Sequence, residues 1–481
     1  MNLRLPSPRH LVWIGAAAFA AEFSALSILR NRAYNTGRFD LGNFIQAIWT
    51  TSHGDLLQQT NLHGEQISRL GVHFEPILAV FAPLWLIWPS ADMLLTAQAI
   101  VLALGALPVF WLARKHLGSE RAALGFALAY LVYPPLQWLG VDEFHPGALG
   151  CTFLLFAFWY LDEDRLVAFA VFAVLACTTR EEMPLVVAGM GIWYALSRRK
   201  WAVGAGVAVT GLVVTALIVA VVTPHFRHGA PLSFYGRYKD VGGSPSEAAR
   251  MIFTHPIRVL EIIFDHRGVR YLAQLLLPLA GLSLLAPLAL IPALPVLAIN
   301  LLSSAYGQTS IHFHYTAGEI PAFVAASVLG AGWLARRWGQ FTVPIAGVAL
   351  AAVVIGNYVL GPLPLWRHVP GGQTLGADRS DVHRHDHLAD RALGLIPKNA
   401  VVSATNSLGA HLSARKRFLS YPILSDATWV AYDGKHPSFA DRLVTSEQAH
   451  GTLLRIRHSP EWKLVYDRDR IYIFKRVAKT P

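Results

Sequence analysis

Five short polar stretches place carboxylates, imidazoles and guanidiniums at the borders of apolar runs. They are "GRFDLGNF" with Asp40, "GVHFEP" with His73 and Glu75, and "DEFHP" with Asp142, Glu143 and His145. The other two are "TREEMP" with Arg180, Glu181 and Glu182, and "IHFHYTAGE" with His312, His314, Tyr315 and Glu319. Ionisable groups at such borders cost desolvation unless they are hydrated, paired or functional. Taken singly, each reads most simply as a solvated helix end or cap. Taken together they describe the lining of a wet cavity. A carboxylate free to accept a proton serves general-base chemistry. A phosphate-bearing substrate needs cationic side chains or a divalent metal to neutralise it. Carboxylates on separate loops are a usual way to hold Mg²⁺ or Mn²⁺, and Asp142 and Glu143 are the candidates for it. The H-x-H pair His312 and His314 has no fixed partner spacing and is not a specific zinc signature. "HFEP" is not the H-E-x-x-H helix of a metalloprotease.

The elements that must position these residues are membrane helices. The chain has 481 residues, 54% hydrophobic and 15% charged, against roughly 25% charged in soluble proteins. Apolar runs of about 16–20 residues recur over most of the first 360 positions, and a bilayer core needs about 20 per span. The net charge of +11 is explained by basic loops that orient spans, so no nucleic-acid partner is expected. Cys151 and Cys177 fall inside apolar runs and read as small core residues. Glu22 lies inside the first run and reads as a packing-facing, hydrogen-bonded acid.

Charge orients the runs. Arg4, Arg9 and His10 place the N-terminus in the cytoplasm, and "ARKHLGSER" (113–121) is the next strongly basic loop. One span at 11–30 and one at 93–113 then leave 31–91 as a long outer segment. "HFEPILAVFAPLWLIWP" within it reads as interfacial helices, with Trp85 and Trp88 at headgroup level. Were 73–89 to cross, the basic loop would fall outside. Further spans are expected at 120–140, 147–161, 165–179, 183–197, 202–222, 270–285, 287–303, 319–335 and 341–361. That gives about eleven spans, puts all five polar stretches on the outer face, and leaves 223–268 as a second long outer loop with Arg237 and Lys239.

Residues 362–481 are polar and have no span. "AVVSAT", "RFLSY", "TWVAYD", "WKLVYD" and "IYIFKR" read as strands, and "HDHLADRALGLI" and "FADRLVTSEQAHGTLLRIRH" as helices. The expectation is an all-α transmembrane domain over 1–361 and a small extracytoplasmic α/β domain over 362–481, in a bacterial or archaeal cytoplasmic membrane.

"FDLGNFIQAIW", "HFEPIL", "LLTAQAIVLALGALPVFWLAR", "YPPLQWLGVDEFHPGAL", "TREEMPL", "IHFHYTAGEIPAF" and "IPKNAVVSATNSLGAHLSAR" together resemble a family of bacterial and archaeal membrane proteins catalogued as domain of unknown function 2079. The resemblance runs in order from about residue 36 to about 430. That family is in turn similar to a distant branch of the GT-C glycosyltransferases. The second resemblance implies an acid on the first outer loop, matched by Asp40, and a further acidic site between the third and fourth spans, matched by Asp142 or Glu143. "FDLG" lacks the second acid that several GT-C branches carry beside the first, and the His-rich loops are not a general GT-C signature. A divalent metal is therefore not implied with the fold.

These readings converge on a membrane glycosyltransferase. It would move a sugar from a polyprenyl-phosphate donor to a cell-envelope glycan, lipid or protein outside, with Asp40 as base. Arg180, Arg237, Lys239, His312 and His314 would meet the phosphate, and Asp142, Glu143 and His145 would orient the acceptor or hold a metal. His73, Glu75, Glu181 and Tyr315 would complete the substrate walls. The alternative is a transporter or flippase of an anionic lipid or solute, using the same residues for binding or proton relay. A third reading is a non-catalytic outer-face receptor whose site lies in the C-terminal domain.

Overall fold

The computed structural model describes residues 6–227, 233–372, 379–437, 441 and 445–477. The chain divides into two compact units. The first comprises residues 1–24, 97–142 and 146–377, and the second 25–96, 143–145 and 378–481.

Among the described residues, four helices are long and apolar enough to cross a membrane: Pro8–Arg32, Ala91–Leu117, Trp201–Arg227 and Gly339–Leu360. Glu120–Val132 and Pro134–Val141 make a fifth such run, bent by 47°. The bend falls where Tyr133 precedes Pro134 and takes an extended backbone, because the proline ring disfavours a helical residue before it. Most other expected spans coincide with shorter helices, including Pro146–Asp162, Leu166–Cys177 and Pro287–Leu301. The run at 270–285 is not one helix. Helix His266–Leu276 stops ahead of Pro278, and Ala280 and Gly281 then take left-handed conformations. Pro76–Ile87, expected at the interface, is a short apolar helix of about 20 Å, less than the roughly 30 Å of a bilayer core. Val12, Ala16, Phe19 and Phe23 form the buried stripe of the first helix, at spacings of four, three and four. Glu22 falls off that stripe and is exposed, not packed as expected.

One end of the first unit is tied by charge. The buried Asp162 receives Lys115 Nζ at 2.8 Å, His116 Nε2 at 2.9 Å and Arg198 Nη2 at 2.6 Å. Arg9 meets Glu120 at 2.6 Å. Arg9 and the loops near 113–121, 162–165 and 198–200 therefore share one end of this unit.

In the second unit a mixed sheet has the order β4-β3-β5-β7-β6, with β3 (Val402–Ala404), β4 (Phe418–Ser420), β5 (Trp429–Asp433), β6 (Trp462–Arg468) and β7 (Ile471–Arg476). β3 is parallel to β4 and β5, while β7 is antiparallel to β5 and β6. All five strands and the helix Arg384–Leu393 fall where the sequence pattern puts them. The second expected helix is seen as Ser446–His458, its N-terminal part at 439–440 and 442–444 lying outside the described residues. Side chains alternate: Phe418, Trp429, Ala431, Ile471 and Ile473 pack with Ala389 and Leu393 on one face. Leu419, Val430 and Phe474 pack with Leu453 and Ile456 on the other. A hairpin of β1 (Gln58–Thr60) and β2 (Gln66–Ser68) belongs to the same unit.

The segment after the first helix is built into this sheet. Tyr34 lies in the core beneath it and donates to Asp390 Oδ1 at 2.8 Å. Its ring stacks on His411 at 4.1 Å, and His411 Nε2 donates to the Asn31 carbonyl at 3.0 Å. Burial pushes the His411 pKa down, so the folded protein holds it neutral. The unfolded chain takes up that proton below about pH 6.5. The contribution is full above that pH and is lost on acidification, by at most about 1.4 kcal/mol per pH unit. His411→Gln keeps a donor for Asn31 without a titrating nitrogen. The melting temperature of the wild type should therefore fall more between pH 7.5 and 5.5 than that of His411→Gln. Parallel losses would remove His411 from the acid response.

Candidate functional site

Asp40 sits on a π-helical turn, Arg38–Gly42, that leads into helix Asn43–Ser52. The turn is held from several sides. Arg38 is 2% exposed; its guanidinium donates to the Thr60 carbonyl and lies 5.4 Å from the Phe418 ring. The Phe39 amide donates to Asn406 Oδ1 at 2.8 Å. The Gly37 and Leu41 amides donate to the two oxygens of Glu143, each at 2.9 Å. Side chains of Arg38, Asn406 and Glu143 thus hold the backbone, and the Asp40 side chain between them remains 42% exposed. That combination suits a proton acceptor for a soluble or membrane-surface group.

Glu143, Phe144 and His145 act as one insert in this unit. Phe144 is fully buried and meets the rings of Phe44 at 5.7 Å and Phe81 at 5.4 Å. That anchor sets the residues on either side of it. His145 Nδ1 is 2.8 Å from the Glu143 carbonyl, which can only accept, so this nitrogen carries a hydrogen. Nε2 is then the atom turned to Asp40 Oδ1, at 3.7 Å. The ring itself is buried, against Phe44 at 5.6 Å. Glu75 accepts from Arg69 Nε at 2.6 Å, and the pair is buried with the guanidinium 4.7 Å from the Phe44 ring. Glu75 was expected to line the substrate wall; in this position its carboxylate is closed to a solvent-borne substrate and braces the loop. His73 is half-buried nearby in sequence.

A second group of the expected residues meets within the first unit. His314 Nδ1 lies 3.8 Å from Asp142 Oδ2, and the His314 ring packs on Tyr315 at 4.3 Å. Arg180 lies 5.8 Å from the Tyr315 ring and pairs with Glu182 at 3.0 Å. Arg237 Nη1 is 3.3 Å from the Tyr315 hydroxyl. Two guanidiniums and an imidazole therefore surround one tyrosine. The segment Ser233–Val241 reaches this tyrosine because the Arg237 carbonyl accepts from Ser304 and the Tyr238 hydroxyl from Gln308. Lys239, on the same segment, is exposed, and Glu181 is half-buried. His312 packs on Trp138 at 4.5 Å. Glu319 is fully buried, accepting from the Tyr271 hydroxyl at 2.6 Å and from Asn300 at 2.8 Å. It seats the start of helix Ile320–Arg337, in which His314 and Tyr315 have no part.

A family model described as a predicted membrane protein, DUF2079, matches residues 31–471. The chain belongs to the DUF2079 family. Among solved structures, this DUF2079 protein is similar to ArnT from Cupriavidus metallidurans bound to undecaprenyl phosphate, with a TM-score of 0.57 and 14% identity over 96% of this chain and 98% of that one. The apo form of the same ArnT gives a TM-score of 0.51 over the same shares. The oligosaccharyltransferase AglB from Archaeoglobus fulgidus, in complex with an inhibitory peptide and a dolichol-phosphate, gives 0.45 at 13% identity over 98% of this chain and 75% of that one. No curated protein matches the sequence. The family and the distant GT-C-like fold expected from the sequence are thus both met.

Three positioning residues of this DUF2079 chain were not singled out in the sequence: Arg38, Asn406 and Phe144. Arg38 and Phe144 each stand inside a polar stretch beside a more conspicuous acid; Asn406 is separated from Asp40 by most of the chain. The Glu143 clamp has a direct readout. Hydrogen bonds to a charged acceptor are worth about 1.5–3 kcal/mol. In Glu143→Ala the Gly37 and Leu41 amides should therefore exchange hydrogen about 10–100-fold faster. Amides in β5 should be unaffected. Unchanged exchange at Gly37 and Leu41 would show that Glu143 does not hold the turn.

Proposed function

We propose that this protein is a membrane glycosyltransferase that takes a sugar from a polyprenyl-phosphate donor and passes it to an extracytoplasmic acceptor of the cell envelope. The observation that carries the reading is Asp40, an accessible carboxylate on a backbone turn fixed by Arg38, Asn406 and Glu143. The ArnT-like fold supports it, since that relative is seen with undecaprenyl phosphate bound.

In the proposed reaction the acceptor hydroxyl gives its proton to Asp40 as its oxygen attacks the anomeric carbon. The bond from that carbon to the phosphate oxygen breaks on the opposite face, with inversion, and polyprenyl phosphate leaves with the bonding pair. The charge that develops on it needs donors already in place. Arg180 and Arg237 beside Tyr315, with His314, supply that role, and Lys239 adds an exposed cation. His145 Nε2 lies beside the Asp40 carboxylate, 3.7 Å away. Asp142 orients substrate. The His314 nitrogen beside Asp142 departs from the all-oxygen set that Mg²⁺ prefers, so no step is routed through a metal.

Asp40→Asn keeps the shape of the side chain and removes proton acceptance. General-base contributions are about 10²–10⁴-fold, or roughly 3–5 kcal/mol of barrier. Purified protein given a panel of polyprenyl-phosphate sugars should release polyprenyl phosphate, and Asp40→Asn should lose turnover by about that factor while its melting curve and donor affinity hold. His314→Ala should weaken donor binding instead. Turnover by Asp40→Asn at the wild-type rate would remove Asp40 from the chemistry. Lipid or solute movement across vesicles, with no glycosidic product from any donor, would replace the transferase with a transporter.

A further inference from the structure

Away from these groups, the C-terminal sheet carries a second constellation that the proposed reaction does not use. Asp433 ends β5, His436 follows three residues later, and His385 lies in the first turn of the helix Arg384–Leu393. Ligand atoms of His385, Asp433 and His436 all fall within 4.8 Å of one another. Parallel strands β3 and β5 end here, and the carboxyl ends of parallel strands are where α/β sheets bind ligands.

Two details show how the three side chains are prepared. Asp433 Oδ1 accepts from the amides of Lys435 and His436, at 2.8 and 3.2 Å, which folds the loop back and leaves Oδ2 directed elsewhere. Oδ2 faces His385 Nε2 at 3.2 Å. His385 Nδ1 meets Asp469 Oδ2 at 2.8 Å, and Lys435 Nζ meets the same carboxylate at 2.9 Å. Asp469 is held there by a tight hairpin, with Asp469 and Arg470 both at positive φ between β6 and β7. A carboxylate bonded to the far nitrogen of a metal-binding histidine is the usual outer support of such a ligand, because it fixes the tautomer and leaves Nε2 to donate its lone pair.

Carboxylates can only accept, and both nitrogens of the buried His385 face one. A neutral imidazole has a single hydrogen. A metal ion at Nε2 would satisfy the second contact. The His436 ring stands edge-on to His385 at 4.5 Å between centroids, and its ligand atom lies within 4.8 Å of those of His385 and Asp433, which offers a third lone pair to a metal. Tetrahedral zinc with bonds of about 2.0–2.1 Å sets its donors about 3.3 Å apart. The His385–Asp433 separation already has that value, and the exposed His436 can close the remainder.

We propose that His385, Asp433 and His436 form a binding site for a zinc-class dication on the C-terminal α/β unit, with Asp469 as its supporting carboxylate. Two imidazoles and one carboxylate leave a fourth position open to water or an anionic oxygen. The bound ion would fasten the 433–436 loop to the helix at 384–393.

The test uses full-length protein purified in detergent through a tag without histidine, stripped with chelator and titrated with Zn²⁺ against a fluorescent competitor. One equivalent should bind tightly to the wild type and raise its melting temperature. His436→Ala should bind at least tenfold more weakly and lose the thermal shift, while His436→Cys, which restores a zinc donor, should recover both. His458→Ala, at an exposed histidine elsewhere in the unit, should match the wild type. Absence of stoichiometric zinc in the wild type would overturn the site. Equal zinc affinity in the wild type and His436→Ala would overturn it as well.

Discussion

The second unit depends on one constraint: a buried guanidinium inside a backbone turn that no regular helix would provide. Arg38 cannot enter an apolar interior without acceptors for its charge-bearing N–H groups. It finds them in the carbonyls of Thr60 and Phe418, with the Phe418 ring beneath. Those carbonyls belong to the β1–β2 hairpin and to the edge of the five-stranded sheet. One side chain therefore couples three pieces that are far apart in sequence. The turn widens to a π-helix because its amides are taken by side chains: Phe39 by Asn406, and Gly37 and Leu41 by Glu143. π-turns are rare and concentrate at functional sites. Here the irregular turn presents Asp40 while the residues around it are locked.

The first unit is organised by a different use of charge. Its helices carry apolar surfaces and have few polar handles, so their ends do the aligning. At one end Asp162 gathers Lys115, His116 and Arg198. Asp142, Arg180, Arg237 and His314 belong to the ends or linking segments of other helices and meet around Tyr315 or each other. A carboxylate that neutralises three donors is saturated and structural. The second cluster mixes the signs instead: Arg180 pairs with Glu182 while it and Arg237 also reach Tyr315. The same residue types thus gather in two different ways, three donors on one buried carboxylate in the first cluster and two guanidiniums around one tyrosine in the second.

Much of the architecture was legible because periodicity and composition are local. The five C-terminal strands alternate with period two, and the apolar runs show themselves by length. Positions 270–285 misled because the run is apolar throughout while Pro278 and the left-handed pair at Ala280 and Gly281 break it; hydropathy does not register backbone geometry. Glu22 was misplaced since only the register of Val12, Ala16, Phe19 and Phe23 tells which face is packed. The site residues divided in the same way. Asp40, Asp142, His145 and His314 announced themselves as charges beside apolar runs. Whether an acid is exposed, like Asp40, or buried against a neighbour, like Glu75 on Arg69 and Glu319 on Tyr271 and Asn300, depends on packing that sequence distance hides.

"DEFH" shows why neighbouring residues of similar chemistry need not share a role. Phe144 is the pivot: its burial against Phe44 and Phe81 fixes the backbone, so the side chains before and after it must point where that anchor sends them. Glu143 is sent to backbone amides, which consume both its oxygens in holding a turn. His145 is sent toward Asp40, with its other nitrogen bound to a carbonyl that fixes the tautomer. A carboxylate occupied by two amides is a weak candidate for proton transfer, whatever its position beside an active acid. Under the proposed reaction, Glu143 therefore becomes the support and Asp40 the base, a division that the adjacent acids in the sequence could not express.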